Sequence, residues 1–526
     1  MNKQWWKGAV IYQIYPRSFQ DSNDDGIGDL KGIISRLDYL QWLGIDAIWL
    51  SPIFKSPMKD FGYDISDYRD IDPMFGTLED FKALLYESHQ RNIKVILDQV
   101  YNHTSDQHPW FQQSMSSKDN SKSEWYMWVD GEKGTPPNNW LSYFGGSAWE
   151  WCEQRKQYYL HLFVKEQPDL NWRNPEVVNA VMDSIKYWLD MGVDGFRFDV
   201  VNMFYKDERL RDDPKVEGWN SKVDYENYYR VFENDRPETL LAIEKINDLV
   251  NQYEYRVTIG EVGSPMGLPG YFLYTMPGRL DLAFNFEFKE INTYSPEKYK
   301  KLIQDTEKLY QSIAWPSYVL GNHDSKRFTE RFKGLPDKKE KLQILAAMLI
   351  TMKGTAFIYY GEEIGMEDAQ IPYEKIVDPA GRNLWPDYKG RDSARTPMQW
   401  DGDNYASFSN LEPWLPVTDD YKELNVKAQM SDYDSLLHFY KKLISLRKKS
   451  NAIKYGTIEF IDIDPDVLAY TRVFHNEKIL IILNFSEKSV DINGSLVNEF
   501  KEILLTNKDI QIADSLIKPN EVRILK

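Results

Sequence analysis

Short apolar runs rich in β-branched and aromatic residues recur at 9–15, 47–50, 94–97, 195–198, 256–259, 281–286, 318–320 and 356–360. Between them come polar residues and then segments such as 30–43 and 78–92, where apolar positions return with the period of an amphipathic helix. Strands alternating with helices build βαβ units and a parallel sheet, and eight such runs predict a closed TIM (β/α)8 barrel in the α/β class. An open doubly wound sheet is the alternative. The lack of a G-x-G-x-x-G pattern after the first run favours the barrel.

The spacing is uneven in one place. About 100 residues separate the third run from the fourth, against about 25 to 60 elsewhere, so a segment is inserted there. That segment, 104–170, is aromatic and rich in Gly and Pro, as in Pro136-Pro137-Asn138-Asn139-Trp140 and Phe144-Gly145-Gly146. It predicts a subdomain that rises from a βα loop and walls one side of the barrel mouth. After 360 an irregular stretch runs to about 416, followed by a helical pattern over 434–449. From about 451 the pattern changes to short alternating strands at 457–461, 467–473, 478–484 and 503–506, a small antiparallel β-sandwich domain. The chain therefore divides into a first barrel part at 1–103, an inserted subdomain at 104–170, a second barrel part at 171–450 and a C-terminal β domain at 451–526.

Composition narrows the function. With 526 residues and 42% hydrophobic positions the chain can bury a large core. Its 81 acidic against 64 basic side chains, a net charge of −17, lack the positive footprint that nucleic acid or an anionic membrane requires. The one cysteine, Cys152, excludes an internal disulfide or thiolate cluster and has no neighbouring base, so it is read as structural. The opening Met1-Asn2-Lys3-Gln4-Trp5-Trp6-Lys7 leads into an apolar stretch broken by Gln13 and Arg17, unlike a signal core, and no run approaches the roughly 20 residues needed to span a bilayer. A cytoplasmic monomer or weak homodimer acting on a small molecule is expected.

Chemistry in such a barrel sits at the C-terminal ends of its strands, and here those ends are acidic. The third run ends in Asp98, followed by Asn102-His103; the fourth in Arg197-Phe198-Asp199; the fifth in Glu261; the seventh in Asn322-His323-Asp324. One aspartate at a strand end is ordinarily a turn former or helix cap, but convergence from several strands is not explained that way. Two carboxyl groups about 5 Å apart across a glycosidic bond let one attack the anomeric carbon while the other protonates the leaving oxygen. Arg197, two residues before Asp199 and on the same face, is expected to keep Asp199 ionised as the nucleophile. Glu261, without an adjacent cation in the sequence, is the expected proton donor. Asp324 with His323 would grip vicinal hydroxyls of the distorted sugar.

The motifs Asp98-Gln99-Val100-Tyr101-Asn102-His103, Gly195-Phe196-Arg197-Phe198-Asp199, Gly260-Glu261-Val262 and Gly321-Asn322-His323-Asp324 resemble, in order and spacing, the four signature regions of glycoside hydrolase family 13, the α-amylase family. The opening Val10 to Phe19, Gln167-Pro168-Asp169-Leu170-Asn171 and the stretch from Arg391 to Trp400 are similar to its exo-acting α-glucosidase branch, which includes oligo-1,6-glucosidase, dextran glucosidase and maltase. The resemblance implies a retaining exo-α-glucosidase in which Asp199 is the nucleophile, Glu261 the general acid/base and Asp324 the transition-state stabiliser. It also implies that Asp60, Tyr63, His103, Phe144 and Phe163 line the pocket for the terminal glucose, together with Gln167, Arg197, His323 and Arg391. Arg395 lies close to Arg391 in the same motif. Gln99 and Tyr101 stand where small or apolar residues are usual between Asp98 and Asn102, and the stretch Val262-Gly263-Ser264-Pro265 departs from the commonest oligo-1,6-glucosidase form, which bears on linkage preference. Two alternatives stay open: a glucosyl transferase or sucrose isomerase, whose charged loop Gly278-Arg279-Leu280-Asp281-Leu282 partly resembles, and a non-enzymatic transporter subunit of the same family.

Val200, after the nucleophile, resembles the branch members that prefer α-1,6 links, where a branched side chain narrows the route of an α-1,4-linked sugar. Packing alone is its other reading, and the stretch from Phe204 to Pro214 looks nearer to α-1,4 enzymes. Asp21-Ser22-Asn23-Asp24-Asp25-Gly26-Ile27-Gly28-Asp29 places oxygen ligands at Asp21, Asn23, Asp25 and Asp29 with the Ile27 carbonyl between, a donor set for structural Ca²⁺ or Mg²⁺. It is not an EF-hand, since Gly32 stands where a glutamate would, and an Asx-rich turn without metal is the alternative. No catalytic cofactor is implied, because the carboxylates suffice.

Overall fold

The computed structural model describes residues 4–492, 496, 499–512 and 514–526. Residues 1–3, which open the segment read for a targeting signal, lie outside the described residues, as do 493–495, 497–498 and 513 of the C-terminal domain. Eight parallel strands form the barrel: β1 (Val10–Ile14), β2 (Ala47–Leu50), β3 (Lys94–Gln99), β4 (Gly195–Phe198), β5 (Val257–Gly260), β6 (Leu282–Ala283), β7 (Ser317–Val319) and β8 (Thr355–Tyr359). They neighbour one another in the order β6-β5-β4-β3-β2-β1-β8-β7, and a parallel bridge between Asn285 and Tyr318 closes the ring. Each predicted run falls on one of these strands, and the open-sheet alternative fails. The sixth is shorter than its apolar run: Asp281 Oδ2 accepts the Thr258 N–H at 2.9 Å, and from Phe286 the chain turns into a short helix, Phe286–Lys289.

Alternation along the strands decides what the barrel holds. Ile11, Ala47, Trp49, Ile96, Val257 and Ile259 point inward and pack with Phe284 and Phe357, while Val10, Tyr12, Ile48, Leu50, Val95 and Leu97 pack outward against the helices. A Cβ at Gly195 would lie 2.5 Å from the Val257 carbonyl oxygen, so glycine is what allows β4 to approach β5 there. Above the apolar plug the inward positions turn polar: Gln13, Asp98 and Arg197 are all buried.

The predicted helix at 30–43 is two helices, Leu30–Ser35 and Leu37–Leu43. The chain breaks at Arg36, whose Nε donates to Gln20 Oε1 at 2.8 Å and whose guanidinium lies 4.1 Å from the Trp400 ring centroid. Between β3 and β4 a three-stranded antiparallel sheet of Trp128–Asp130, Gln157–Leu160 and Trp149–Cys152 stands on the barrel, with buried Cys152 at its edge. Bridges between His103 and Asp169 and between Tyr126 and Leu170 anchor it. The stretch after β8 is irregular as expected and folds as short turns, and the helix Leu436–Lys449 follows.

The C-terminal sheet joins β9 (Thr457–Ile461), β10 (Val467–Phe474), β11 (Glu477–Asn484), β12 (Ile503–Thr506) and β13 (Val522–Leu525) in the order β9-β10-β11-β13-β12. A ribbon of Val490–Asp491 with Leu516–Ile517 lies against one face, where Ile492 and Ile517 pack on Val467, Ala469, Leu480 and Ile482. The opposite face, with Leu468, Tyr470, Ile479 and Ile481, joins the main core. No helix among the described residues is long and apolar enough to cross a membrane.

One buried cation ties the helix Leu436–Lys449 to the foot of the barrel. Arg447, on Leu436–Lys449, donates to the carbonyls of Gly8 at 2.9 Å, Ile350 at 2.7 Å and Met352 at 3.1 Å, and to Gly354. Its removal leaves four buried acceptors without a donor. Arg447→Met is therefore expected to cost about 3 kcal/mol or more, read as a lower denaturant midpoint, with the circular dichroism of the folded state unchanged. A shift below about 0.5 kcal/mol, the range of an ordinary surface substitution, would contradict this account.

Candidate active site

The polar layer of the barrel is organised by Arg197. In-register pairing sets Arg197 of β4 opposite Asp98 of β3 and Ile259 of β5, and the two-residue period carries Asp199 and Glu261 to the same inner face. Arg197 Nη1 donates to Asp98 Oδ1 at 2.7 Å and to Asp199 Oδ1 at 2.8 Å, and Nη2 donates to Glu261 Oε2. The guanidinium is buried and stands 5.2 Å from the Trp49 ring centroid.

This corrects the expectation that Glu261 stands without an adjacent cation, since Arg197, expected beside Asp199, serves Glu261 as well. Both carboxylates sit side by side on one guanidinium, because adjacent parallel strands in register bring positions far apart in the chain level with each other. Nor does Arg197 by itself keep Asp199 in the usual carboxylate range: burial, and then the charges of Glu261 and Asp98, push its carboxyl well up against the pull of Arg197. Asp98 is raised to about 6, chiefly by burial.

A second network grows from β1 and the loop after β7. Gln13 Nε2 lies 2.8 Å from His323 Nδ1, which makes Nδ1 the acceptor and places the ring proton on Nε2. That nitrogen faces Tyr63 Oη at 2.6 Å and Asp324 Oδ2 at 3.1 Å, and Tyr63 in turn donates to Asp98 Oδ2 at 3.1 Å. Burial depresses His323 far below its ordinary value, so it is a neutral donor. Asp324 Oδ1 accepts from Arg391 at 3.1 Å and Arg395 at 3.0 Å. Burial works against the Asp324 carboxylate, but the His323 N–H and the two guanidiniums outweigh it and hold the group far below its usual range. Arg391 also donates to Asp60 Oδ1 at 2.7 Å and to Asp378 Oδ1 at 2.6 Å.

These groups surround a pocket of about 250 Å³ at the barrel mouth. The predicted residues Asp60, Tyr63, His103, Phe144, Phe163, Val200 and Arg391 line it, with Asp199, Glu261 and Asp324. Arg197 and His323 lie one layer behind. Gln167 does too, donating to Asp60 Oδ2 at 3.3 Å from a fully buried position. Sequence reasoning missed Tyr143, Tyr225, Ala380 and Tyr388 on the wall, and Gln13 and Asp378 behind it. Gln13 had a signal, an inward amide inside an apolar strand; Tyr225, Ala380 and Tyr388 come from loops whose course no local pattern gives.

Val200 has φ 36° and ψ 46°, a left-handed conformation that a β-branched residue adopts only under constraint. It packs with Trp140, Leu162 and Met203 and also lines the pocket, so its side chain belongs to both the core and the site. Gly278-Arg279-Leu280-Asp281 lies at the other end of the barrel, running into the N-terminal end of β6, with Arg279 paired to Glu244 at 3.1 Å. It does not reach the pocket. None of Asp21, Asn23, Asp25, Ile27 and Asp29 lines the pocket either. Asp21 accepts the N–H groups of Asn23 and Asp24 at 2.9 Å and of Gly26 at 2.8 Å, and Asp29 caps the next helix through Gly32 at 2.7 Å. Among the described residues no three acidic, histidine or cysteine side chains converge on one metal position.

The family model described as "Alpha amylase, catalytic domain" matches residues 13–456. The chain is 44% identical to an oligo-1,6-glucosidase of Parageobacillus thermoglucosidasius, covering all of this chain and 99% of the relative. It is 43% identical to a probable alpha-glucosidase of Rhizobium meliloti, covering 93% and 90%. Among solved structures, an alpha-glucosyl transfer enzyme superposes with a TM-score of 0.92 at 40% identity, and an isomaltulose synthase mutant from Erwinia rhapontici NX5 with 0.90 at 35%, each covering 99% of both chains.

The electrostatics of the site give a pH signature. His103 is fully buried, and that burial lowers it to about 4, against about 6.5 unfolded. The unfolded chain therefore binds a proton that the folded chain refuses between those values, so stability is lost as pH falls from about 6.5 to 4 and no further below. Over that window His103→Gln is expected to lose about 3 kcal/mol less stability than the parent chain, measured by urea unfolding at pH 7 and pH 4. Equal losses in the two proteins would contradict a neutral His103.

Proposed function

The chain belongs to the alpha-amylase family and is a glycoside hydrolase of the α-glucosidase type, and we propose that it removes single glucose units from the non-reducing ends of short oligosaccharides with retention of configuration. The observation that carries this reading is the pair Asp199 and Glu261, held side by side by Arg197 at the floor of a small pocket. Retention needs carboxyl groups about 5 Å apart, whereas an inverting pair about 6.5–9.5 Å apart leaves room for a water. One guanidinium bridging both groups draws them together.

Asp199 and Glu261 share one proton, and the pair reacts with that proton on Glu261: an Asp199 carboxylate oxygen attacks C1 of the terminal glucose while Glu261 gives its proton to the glycosidic oxygen, and the C1–O bond to the departing sugar breaks. Glu261 then takes a proton from water, whose oxygen attacks C1 and breaks the glucosyl–Asp199 ester. Asp324, held ionised by Arg391, Arg395 and the His323 N–H, stabilises positive charge developing on the sugar ring and accepts from its hydroxyls. Tyr63 and Phe163 line the pocket and give the pyranose apolar contact.

We infer a preference for α-1,6 links, because the constrained Val200 intrudes where the departing sugar sits. A sugar hydroxyl in place of water in the second step would make the protein a transferase. That chemistry is named for one solved neighbour, but the charged-loop resemblance that pointed to an isomerase lies at the wrong end of the barrel. We also infer that the 21–29 loop takes a structural Ca²⁺. Its donors are all oxygens, and Asp21 Oδ2 and Asp29 Oδ2 each carry a single N–H, leaving a lone pair for the ion. We infer a cytoplasmic protein acting as a monomer or weak homodimer, the single thiol fitting a reducing compartment.

Glucose release from isomaltose, maltose and sucrose tests the reading. Asp199→Ala and Glu261→Gln are each expected to lower kcat by at least about 10³-fold. Isomaltose should be the fastest of the three, and Val200→Thr should move the preference towards maltose. With α-glucosyl fluoride and azide, Asp199→Gly should give the inverted β-glucosyl azide and Glu261→Ala the retained α-glucosyl azide. The reverse products would exchange the two roles, and no glucose release by the parent enzyme would remove the function. Ca²⁺ should raise the melting temperature and a chelator should lower it; no response to either, with Asp25→Ala equally silent, would leave the loop as a metal-free turn.

A further inference from the structure

The pocket wall beside Val200 is aromatic. Tyr143 and Phe163 stack with centroids 5.5 Å apart, and Tyr225 leans on Tyr143 at 5.3 Å. Tyr143 comes from the inserted subdomain and Tyr225 from the loop after β4, so two separately folded stretches must meet to make this face. Arg230 joins them. Its guanidinium carbon lies 3.5 Å from the Tyr143 centroid and 5.7 Å from that of Tyr225, its Nη2 donates to the Leu141 carbonyl at 2.7 Å, and its Nε donates to Glu233 Oε1 at 2.5 Å. Arg230 is 9% exposed and Glu233 fully buried. Asp213 Oδ1 accepts the N–H groups of Val231 and Phe232 at 3.1 and 3.2 Å and so holds the chain that carries Arg230.

We propose that Arg230 is a positioning residue for the acceptor side of the pocket: by fixing Tyr143 and Tyr225 it sets how the sugar bonded to the terminal glucose, or a second sugar competing with water for the glucosyl-enzyme, is seated. This rests on the α-glucosidase reading above. The terminal glucose is gripped elsewhere, through Asp60, Asp324 and Arg391, none of which Arg230 touches. Only a planar guanidinium can lie on a ring face while donating in its own plane to a carboxylate and a carbonyl; a lysine ammonium keeps the charge beside Glu233 but not both geometries.

The test compares Arg230→Lys, Arg230→Met and Tyr225→Ala with the parent enzyme on two substrates. The departing fluoride of α-glucosyl fluoride is one atom and does not reach the wall; the departing glucose of isomaltose does. For the two Arg230 variants the expected result is kcat/KM for the fluoride within about twofold of the parent, and KM for isomaltose raised about tenfold with kcat within about threefold. The share of glucosyl units passed from the Asp199 ester to added isomaltose, whose attacking hydroxyl gives its proton to Glu261, should fall. Arg230→Lys should recover thermal stability relative to Arg230→Met without recovering KM, and Tyr225→Ala should reproduce the KM change if Arg230→Met does not fold. Proportional loss on both substrates, or lower stability with unchanged KM and product ratio, would overturn the proposal. Failure of the parent enzyme on both substrates would instead overturn the α-glucosidase reading and this inference with it.

Discussion

A guanidinium sealed inside the barrel sets the rest of the molecule. Arg197 holds Asp98, Asp199 and Glu261 from three neighbouring strands, and it does so where water cannot screen the charges. A buried ion cluster of this kind is expensive to desolvate and adds little net stability, but breaking it leaves an uncompensated charge in the core. The barrel must therefore close in one register, since a one-residue slip of β4 would turn Arg197 and Asp199 out towards the helices and bring Phe196 and Phe198 inside. Fold specificity and the placement of the reactive carboxylates are one constraint.

Around that cluster the charges are divided unequally. Asp324 faces two arginines and a histidine N–H and stays ionised, whereas Asp199 competes with Glu261 and Asp98 for one arginine and is pushed up by burial. The histidines stay neutral because burial opposes a further positive charge beside cations already in place, Lys206 for His103 and the guanidiniums of Arg395, Arg197 and Arg391 for His323. His103 and His323 act as oriented donors and acceptors, and proton traffic is left to the carboxyl groups. A pocket with several fixed cations and an ionised Asp324 favours a transition state in which positive charge grows on a sugar ring and is shared among carboxylates.

The walls obey a different rule from the floor. Rigid strands present the carboxylates, while the sides come from the inserted subdomain, the loop after β4 and the irregular stretch after β8. Each is tied back by particular bonds: Asn383 Nδ2 donates to the Phe144 carbonyl at 3.1 Å, and Arg391 links Asp60 to Asp378 and Asp324. Loops free of the ladder constraint can change without unfolding the barrel, which lets one floor serve different leaving groups.

The sequence by itself determined the eight strands, the insertion after the third and the antiparallel C-terminal sheet, because strand alternation and helix period are local consequences of which residues are apolar. It also marked Asp98, Asp199, Glu261 and Asp324, since polar residues closing apolar runs must stand at strand ends. What it could not determine is who shares a partner with whom. Arg197 looked like the neighbour of Asp199 because they are two residues apart, yet it equally serves Glu261, 64 residues away. Tyr225, Ala380 and Tyr388 reach the pocket along loops whose paths depend on long-range contacts, and Val200 shows its left-handed backbone only in three dimensions. Hydrophobic periodicity is written residue by residue, whereas electrostatic partnership and pocket shape arise only when distant segments are packed together and water is excluded between them.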